Sequence, residues 1–169
     1  MDYAGNIRYR WLNLHNVGDV YNFWYHFDDG YLAVIPAQTS PTSYHYIPSY
    51  HYQVRDHQGN IRVVVDEVGD PEQKNEYFAY GGPWASSTNQ GFQPFKYNGK
   101  ELDRVHGLDW YDYGARRYDP AFGRFLSPDP YMQAPDFTQN FNRYSYCLNN
   151  PLKWYYTPDH YRTFLQFKP

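Results

Sequence analysis

The heptapeptide Asp-x-x-Gly-Asn-Ile-Arg occurs twice in this chain, at positions 2–8 and again at 56–62. In the first copy Ala4, Gly5 and Asn6 lie between a polar entry and a short β-prone run, and the Gly tolerates positive φ. That is the chemistry of a tight turn feeding a strand. Two copies in 169 residues point to a repeat architecture in which each unit covers its neighbour. The second copy runs on into Val63, Val64 and Val65 and ends at Val68-Gly69-Asp70-Pro71. The segment NEYFAYGG at 75–82 is expected to be the strand that closes a hairpin on it. After the first copy, residues 11–35 alternate aromatic and polar positions, with a turn at Asp28, Asp29 and Gly30 before a strand at 31–35. Residues 36–49, rich in Pro, Ser and Thr, are expected to form a loop, and 83–94 a second one.

Residues 97–130, YNGKELDRVHGLDWYDYGARRYDPAFGRFLSPDP, read as short strands and tight turns. Tyr111, Tyr113 and Tyr118 lie near Gly107, Gly114 and Gly123, so bulky β-formers are punctuated by turn residues. The whole chain follows this style. It carries 21 Tyr, 11 Phe and 5 Trp against a mean hydropathy of -0.88, so aromatics must form its core. Tyr buries its ring while its hydroxyl finds a partner, which suits thin sheets better than a thick aliphatic centre. The expected fold class is all-β, built from antiparallel strand-turn units.

Composition excludes several function classes. The net charge is -3 and the 15 basic residues are spread along the chain, so no nucleic-acid footprint is expected. No run of about 18 apolar residues occurs, and no basic start followed by an apolar stretch, so neither membrane insertion nor an export signal is expected. The single cysteine, Cys147, excludes an internal disulfide framework and is expected to be a small packed thiol.

The motifs DHQGNIRVVVDEVGD, YFAYGGPW, residues 97–130 and NRYSYCLNNPLKW at 142–154 together resemble the RHS (rearrangement hot spot) or YD-repeat family. Within it they resemble the RHS repeat-associated core domain. The resemblance divides the chain into a degenerate YD-repeat segment at 1–49, the core at 50–159 and a short tail at 160–169. It implies a fragment of a spiral β-shell with its irregular plug, continued by an upstream YD-repeat sheet or a longer RHS protein. It also implies a parent that is secreted or at the cell surface, with a C-terminal toxin domain attached or encoded elsewhere. In many members the core resembles an aspartyl autoprotease that frees the toxin.

Carried over residue by residue, that chemistry falls on Asp119, Arg124 and Asp129. A carboxylate pair of this kind works by sharing a proton. The plainer reading is that the Asp-Pro steps initiate turns and that Arg124 pairs with one of them. The family's closing Asp-Pro-x-Gly motif is replaced here by Pro158, Asp159 and His160, so the expected role is structural encapsulation without catalysis. An aspartyl self-cleaving core is the alternative. A carbohydrate-binding surface of exposed aromatics is a weaker one. His45, His51 and His57 recur every six residues, but such residues on an extended chain lie roughly 20 Å apart, too far to share one ion. No metal or other cofactor is expected.

Overall fold

The computed structural model describes residues 2–4, 7–14, 18–40, 43–131, 141–151, 155–156 and 165–166, with side chains described at 7, 22–37, 45–131 and 141–151. It divides into two compact units, 1–74 and 75–169.

The first unit is a seven-stranded antiparallel meander in which every strand pairs with its chain neighbour. Its strands are β1 (Asp2–Ala4), β2 (Ile7–Leu14), β3 (Gly18–Phe27), β4 (Gly30–Ser40), β5 (Ser43–Arg55), β6 (Ile61–Val65) and β7 (Pro71–Lys74). Both copies of the heptapeptide sit at hairpins, β1–β2 and β5–β6. The second copy shows how the motif works. Asp56 accepts hydrogen bonds at Oδ1 from the Gln58 and Asn60 amides, and at Oδ2 from Asn60 Nδ2 and Arg62 Nε, all at 2.8–3.1 Å. Gly59 takes φ +79°, which no other residue type adopts as readily. Asp66 repeats the device at the β6–β7 turn, accepting from the Val68 and Asp70 amides. Burial of Asp56 opposes its ionisation, but its four donors outweigh that and hold the carboxyl below its usual value.

Two expectations need correction here. Residues 36–40 and 43–49 are not a loop, because they lie in the paired strands β4 and β5, where Pro36 pairs Tyr46 and Val34 pairs Pro48. The β3 pairing of β4 stops at Val34, and the β6 pairing of β5 covers only Tyr52–Arg55. Each proline thus sits where its strand has a neighbour on one side, and a missing N–H leaves no ladder bond unmade. Nor is 75–82 a strand. It is a bent loop closed by Phe78 N–H to Gly82 O and Gly81 N–H to Phe78 O, both 2.8 Å, and the strand that completes the β6 hairpin is β7 instead. The boundary placed at 49/50 from motif similarity falls inside β5, so the sheet runs through it unbroken.

The two faces of this sheet are opposite in character. One carries Tyr31, Ala33, His51, Gln53, Val64 and Gln73, all buried. The other carries Phe23, Tyr25, Tyr46, Tyr50, Tyr52 and Val54, all exposed. Cross-strand registry adds Leu32, Val34, Pro48, Val63 and Val65 to that second face, and Lys74 beside Val63 at its β7 edge.

The second unit holds a four-stranded sheet in the order β11-β10-β9-β8. Its strands are β8 (Glu101–Asp103), β9 (Trp110–Asp112), β10 (Arg117–Asp119) and β11 (Arg124–Phe125), so 97–130 forms short strands and turns as its pattern suggests. Farther along, β12 (Tyr155–Tyr156) pairs β13 (Leu165–Gln166); Pro158, Asp159 and His160 lie outside the described residues.

Candidate functional site

The core of the second unit consists of Tyr97, Leu102, Tyr111, Tyr118, Phe125 and Tyr146. Its rings meet edge-on or tilted, with centroids of Tyr118 and Tyr146 4.3 Å apart and Tyr113 set across Phe125 at 87°, the geometry aromatic quadrupoles favour. Burial alone does not explain why these residues are Tyr rather than Phe. Three of the hydroxyls donate to three consecutive carbonyls of the 75–82 loop: Tyr97 to Ala79 (3.1 Å), Tyr118 to Tyr80 (2.8 Å) and Tyr111 to Gly81 (2.8 Å). Apart from one antiparallel bridge of Tyr77 with Pro83, the loop has no ladder partner, and the core supplies donors to its carbonyls. Gly81 completes the fit: at φ +87° a Cβ would stand 2.5 Å from the Tyr97 ring. A second knot joins Asn98 Nδ2 to the hydroxyls of Tyr113 (3.0 Å) and Tyr146, which also contact each other at 3.0 Å. Burial drives the phenols of Tyr111, Tyr113, Tyr118 and Tyr146 above their ordinary value, so they remain protonated.

The predicted site residues occupy different environments. Asp119 is buried at the end of β10, where Oδ1 accepts from the Ala121 (2.8 Å) and Phe122 (3.3 Å) amides and Oδ2 from Trp110 Nε1 (3.2 Å). It caps the Asp-Pro turn into β11. Arg124 is exposed. Its backbone pairs with Asp119 across the ladder and bridges to Ser145 on the other side. Asp129 meets a separate set of partners: Arg116 at Oδ2 (3.2 Å) and the Tyr131 amide at Oδ1 (3.0 Å). Its backbone is gripped by Arg143, through Asp129 N–H to Arg143 O (2.8 Å) and through Arg143 Nε (2.7 Å) and an NH₂ nitrogen to Asp129 O. Arg116 also lies 3.6 Å over the Phe125 ring. Each carboxylate therefore has its own donors, and the three residues brace one turn and one latch.

The remaining candidates scatter. His51 is buried in β5, its Nδ1 2.5 Å from Glu72 Oε2 and its ring stacked 4.7 Å from Tyr31, whereas His45 and His57 are exposed. Among the described residues no group of three metal-ligating side chains occurs. Cys147 is not the packed core residue expected. It is exposed, because Cys147, Leu148 and Asn149 all take positive φ and turn the chain outward after the buried Tyr146. Its thiol leans back against the Tyr146 hydroxyl, and burial of that end pushes its pKa up. Lys96 went unnoticed in the sequence. It is 2% exposed, and its Nζ has no hydrogen-bond partner. Burial, reinforced by the Arg104 guanidinium, brings its amine down to about 7. No pattern around it distinguishes it from a surface lysine.

A model of the Teneurin YD-shell matches residues 16–152. The chain belongs to the Teneurin YD-shell family. Curated relatives include the salivary gland surface protein 1 of Aedes aegypti, 33% identical over 105 residues, which cover 61% of this chain and 3% of that protein. The tRNA nuclease WapA of Bacillus subtilis is 32% identical over 105 residues, 61% of this chain and 4% of its own length. Toxin subunit YenC2 of Yersinia entomophaga is 38% identical over 95 residues, 54% and 9%. The YD-shell chain thus spans under a tenth of each of these relatives. Among solved structures, the Photorhabdus luminescens Tc holotoxin pore matches with a TM-score of 0.53 at 22% identity, over 98% of this chain and 9% of that one. A TcdB2-TccC3 crystal structure lacking the hypervariable C-terminal region gives 0.52 at 22%, over 93% and 8%. At that identity the likeness is one of fold: the antiparallel β-shell. It agrees with the expected all-β class and with the RHS/YD-repeat resemblance.

Proposed function

We propose that this chain is a non-catalytic wall and core segment of a YD-repeat shell, at the C-terminal end of an RHS-type polymorphic toxin or cell-surface protein. Its partners in this reading are the YD-repeat sheet of a longer protein and a toxin domain that the shell encloses. The observation that carries it is the first unit's two-faced sheet, with a wide face of exposed aromatic and apolar side chains left open opposite a buried one; Lys74, beside Val63, is its charged member among the described residues named. A monomeric domain rarely leaves such a patch uncovered, because apolar area exposed to water is unfavourable by about 25 cal/mol per Å². A shell gives the face an enclosed space to line. The two aspartates fit the same reading, each held by turn amides, Trp110 or Arg116 as a structural brace.

The test is passenger protection. A protease-sensitive peptide is joined to the end of a shell-length YD-repeat protein that terminates in this segment, and to the segment alone. Resistance in the first and digestion in the second is the expected result. Equal digestion of the two would overturn the enclosing role.

A further inference from the structure

The Lys96 side chain takes no part in the braces that hold the second unit together, although its backbone is fixed. Its N–H donates to Lys100 O at 2.8 Å and its carbonyl accepts the Gly99 amide at 3.1 Å, which places it at the entry of the Tyr97–Gly99 turn. Phe95, one residue before, is closed off as well: its N–H and its carbonyl are both bonded to the side chain of the buried Gln93. Lys96 is therefore buried by a turn whose nearest carbonyls already accept donors, and its Nζ has no partner. The charged group acting on that amine is a second cation, the Arg104 guanidinium. Asp109 holds Arg104 through Nε at 3.1 Å, and among the described residues the two terminal nitrogens of the guanidinium have no partner. The two side chains together lack an anion.

A lysine in water is an ammonium at neutral pH and has no lone pair to share. Burial and the neighbouring guanidinium bring this one down to about 7, so near neutrality a large share of it is a free amine. A reactant that reaches so buried a nitrogen must be small and must bring no charge that has to be desolvated. We propose that Lys96 is a binding site for carbon dioxide, which it takes up as a carbamate whose charge rests on Arg104. The Nζ lone pair adds to the carbon of carbon dioxide, a C–N bond forms, and one C–O π pair moves onto oxygen. The nitrogen then gives up a proton to water. The products are an N-carboxylate and one released proton, nothing is oxidised or reduced, and the step reverses when the gas is withdrawn. An unpartnered donor is thereby exchanged for an ion pair. Because the neutral amine exists only in the folded chain near neutrality, binding stabilises that chain by mass action. Gas binding of this kind is separate from the shell-wall role, and neither requires the other.

The experiment holds the full chain in a bicarbonate and carbon dioxide buffer at neutral pH, traps carbamates with a trialkyloxonium reagent, and maps the alkylated peptides by mass spectrometry. An alkoxycarbonyl group on Lys96 is expected in the folded chain, at least about a hundredfold above the chain unfolded in guanidinium chloride, where the amine regains its ordinary proton. Arg104→Gln should lower the yield about tenfold, the equivalent of one charge-assisted hydrogen bond. Replacing chloride by bicarbonate at constant pH and ionic strength should raise the thermal midpoint of wild type and leave that of Lys96→Met where it was. The proposal is overturned by the absence of an adduct at Lys96, by equal yields in folded and unfolded chains, or by a yield undiminished in Arg104→Gln. A midpoint that rises without an adduct also overturns it, since that marks an adventitious ion only. If Lys96→Met does not fold, the yields from folded and unfolded wild type decide alone.

Discussion

Replacing Lys96 by Met should make the protein more stable at neutral pH, and by an amount that depends on pH in a defined direction. The Lys96 amine is buried without a hydrogen-bond partner, and its pKa falls from 10.5 to about 7. Below its folded-state pKa the folded chain must carry the charge where it is poorly solvated. At about 1.36 kcal/mol per pKa unit, the penalty approaches 5 kcal/mol, an order-of-magnitude figure. Between pH 7 and 10.5 the folded amine has lost its proton while the unfolded one keeps it, so unfolding takes up a proton. Stability therefore rises with pH across that window, by up to about 1.4 kcal/mol per pH unit. Met keeps the apolar stem and removes the titration. Urea unfolding of both proteins, followed by tryptophan fluorescence at pH values spanning about 6 to 9, provides the assay. The variant should be the more stable by several kcal/mol at the acid end, with the gap narrowing steadily toward the alkaline end. The comparison should stop short of the ordinary Tyr range, since phenols with raised pKa values lose stability as pH climbs past it. A gap that does not change with pH, or a variant less stable throughout, would refute the reasoning.

Other expectations follow from single contacts. Tyr118→Phe strands the Tyr80 carbonyl and should destabilise the protein by about 1–3 kcal/mol in urea unfolding, with Tyr111→Phe similar. Asp56→Ala removes all four turn bonds at once. Because the folded carboxyl titrates below the unfolded one, the stability it contributes is present above its ordinary pKa and is lost as pH falls through the folded value. The variant should therefore lose stability at neutral pH and converge on wild type in acid. Cys147 should react with a thiol-specific alkylating agent more slowly than a free cysteine at the same pH, its thiol being pushed up; equal rates would contradict the placement of its sulfur. The isolated chain should self-associate through open sheet edges and its aromatic face, and Tyr50→Lys should shift size-exclusion profiles toward monomer.

The hairpins were legible in the sequence because an Asp-x-x-Gly turn is a local device: Asp56 and Asp66 bind backbone within four residues of themselves. The strands of 97–130 were legible for a similar reason, in the alternation of tyrosines with glycines. What could not be read depends on distant partners. Pro36 and Pro48 argue for a loop until the registry shows which side of each strand is unpaired. The segment 75–82 looks like a strand by composition, yet its carbonyls are satisfied by hydroxyls up to 38 residues away. For the candidate site, the sequence supplied Asp119, Arg124 and Asp129 but not Arg116 or Arg143, whose roles come entirely from folding onto Asp129. Lys96 was invisible because no local signal marks a lysine as buried.

The three tyrosines that grip Ala79, Tyr80 and Gly81 also act as a register lock. Hydroxyls arriving at three successive carbonyls cannot be satisfied one at a time by a loop shifted along its path: a slip of one residue misaligns all three. The loop and the four-stranded sheet should then open together or not at all. Amide hydrogen exchange would show this as matched protection at Gly81, whose N–H is bonded within the loop, and at the strand amides of Tyr111 and Tyr118. A stretch that looks like an exposed connector would thus share the unfolding free energy of the sheet it is bonded to.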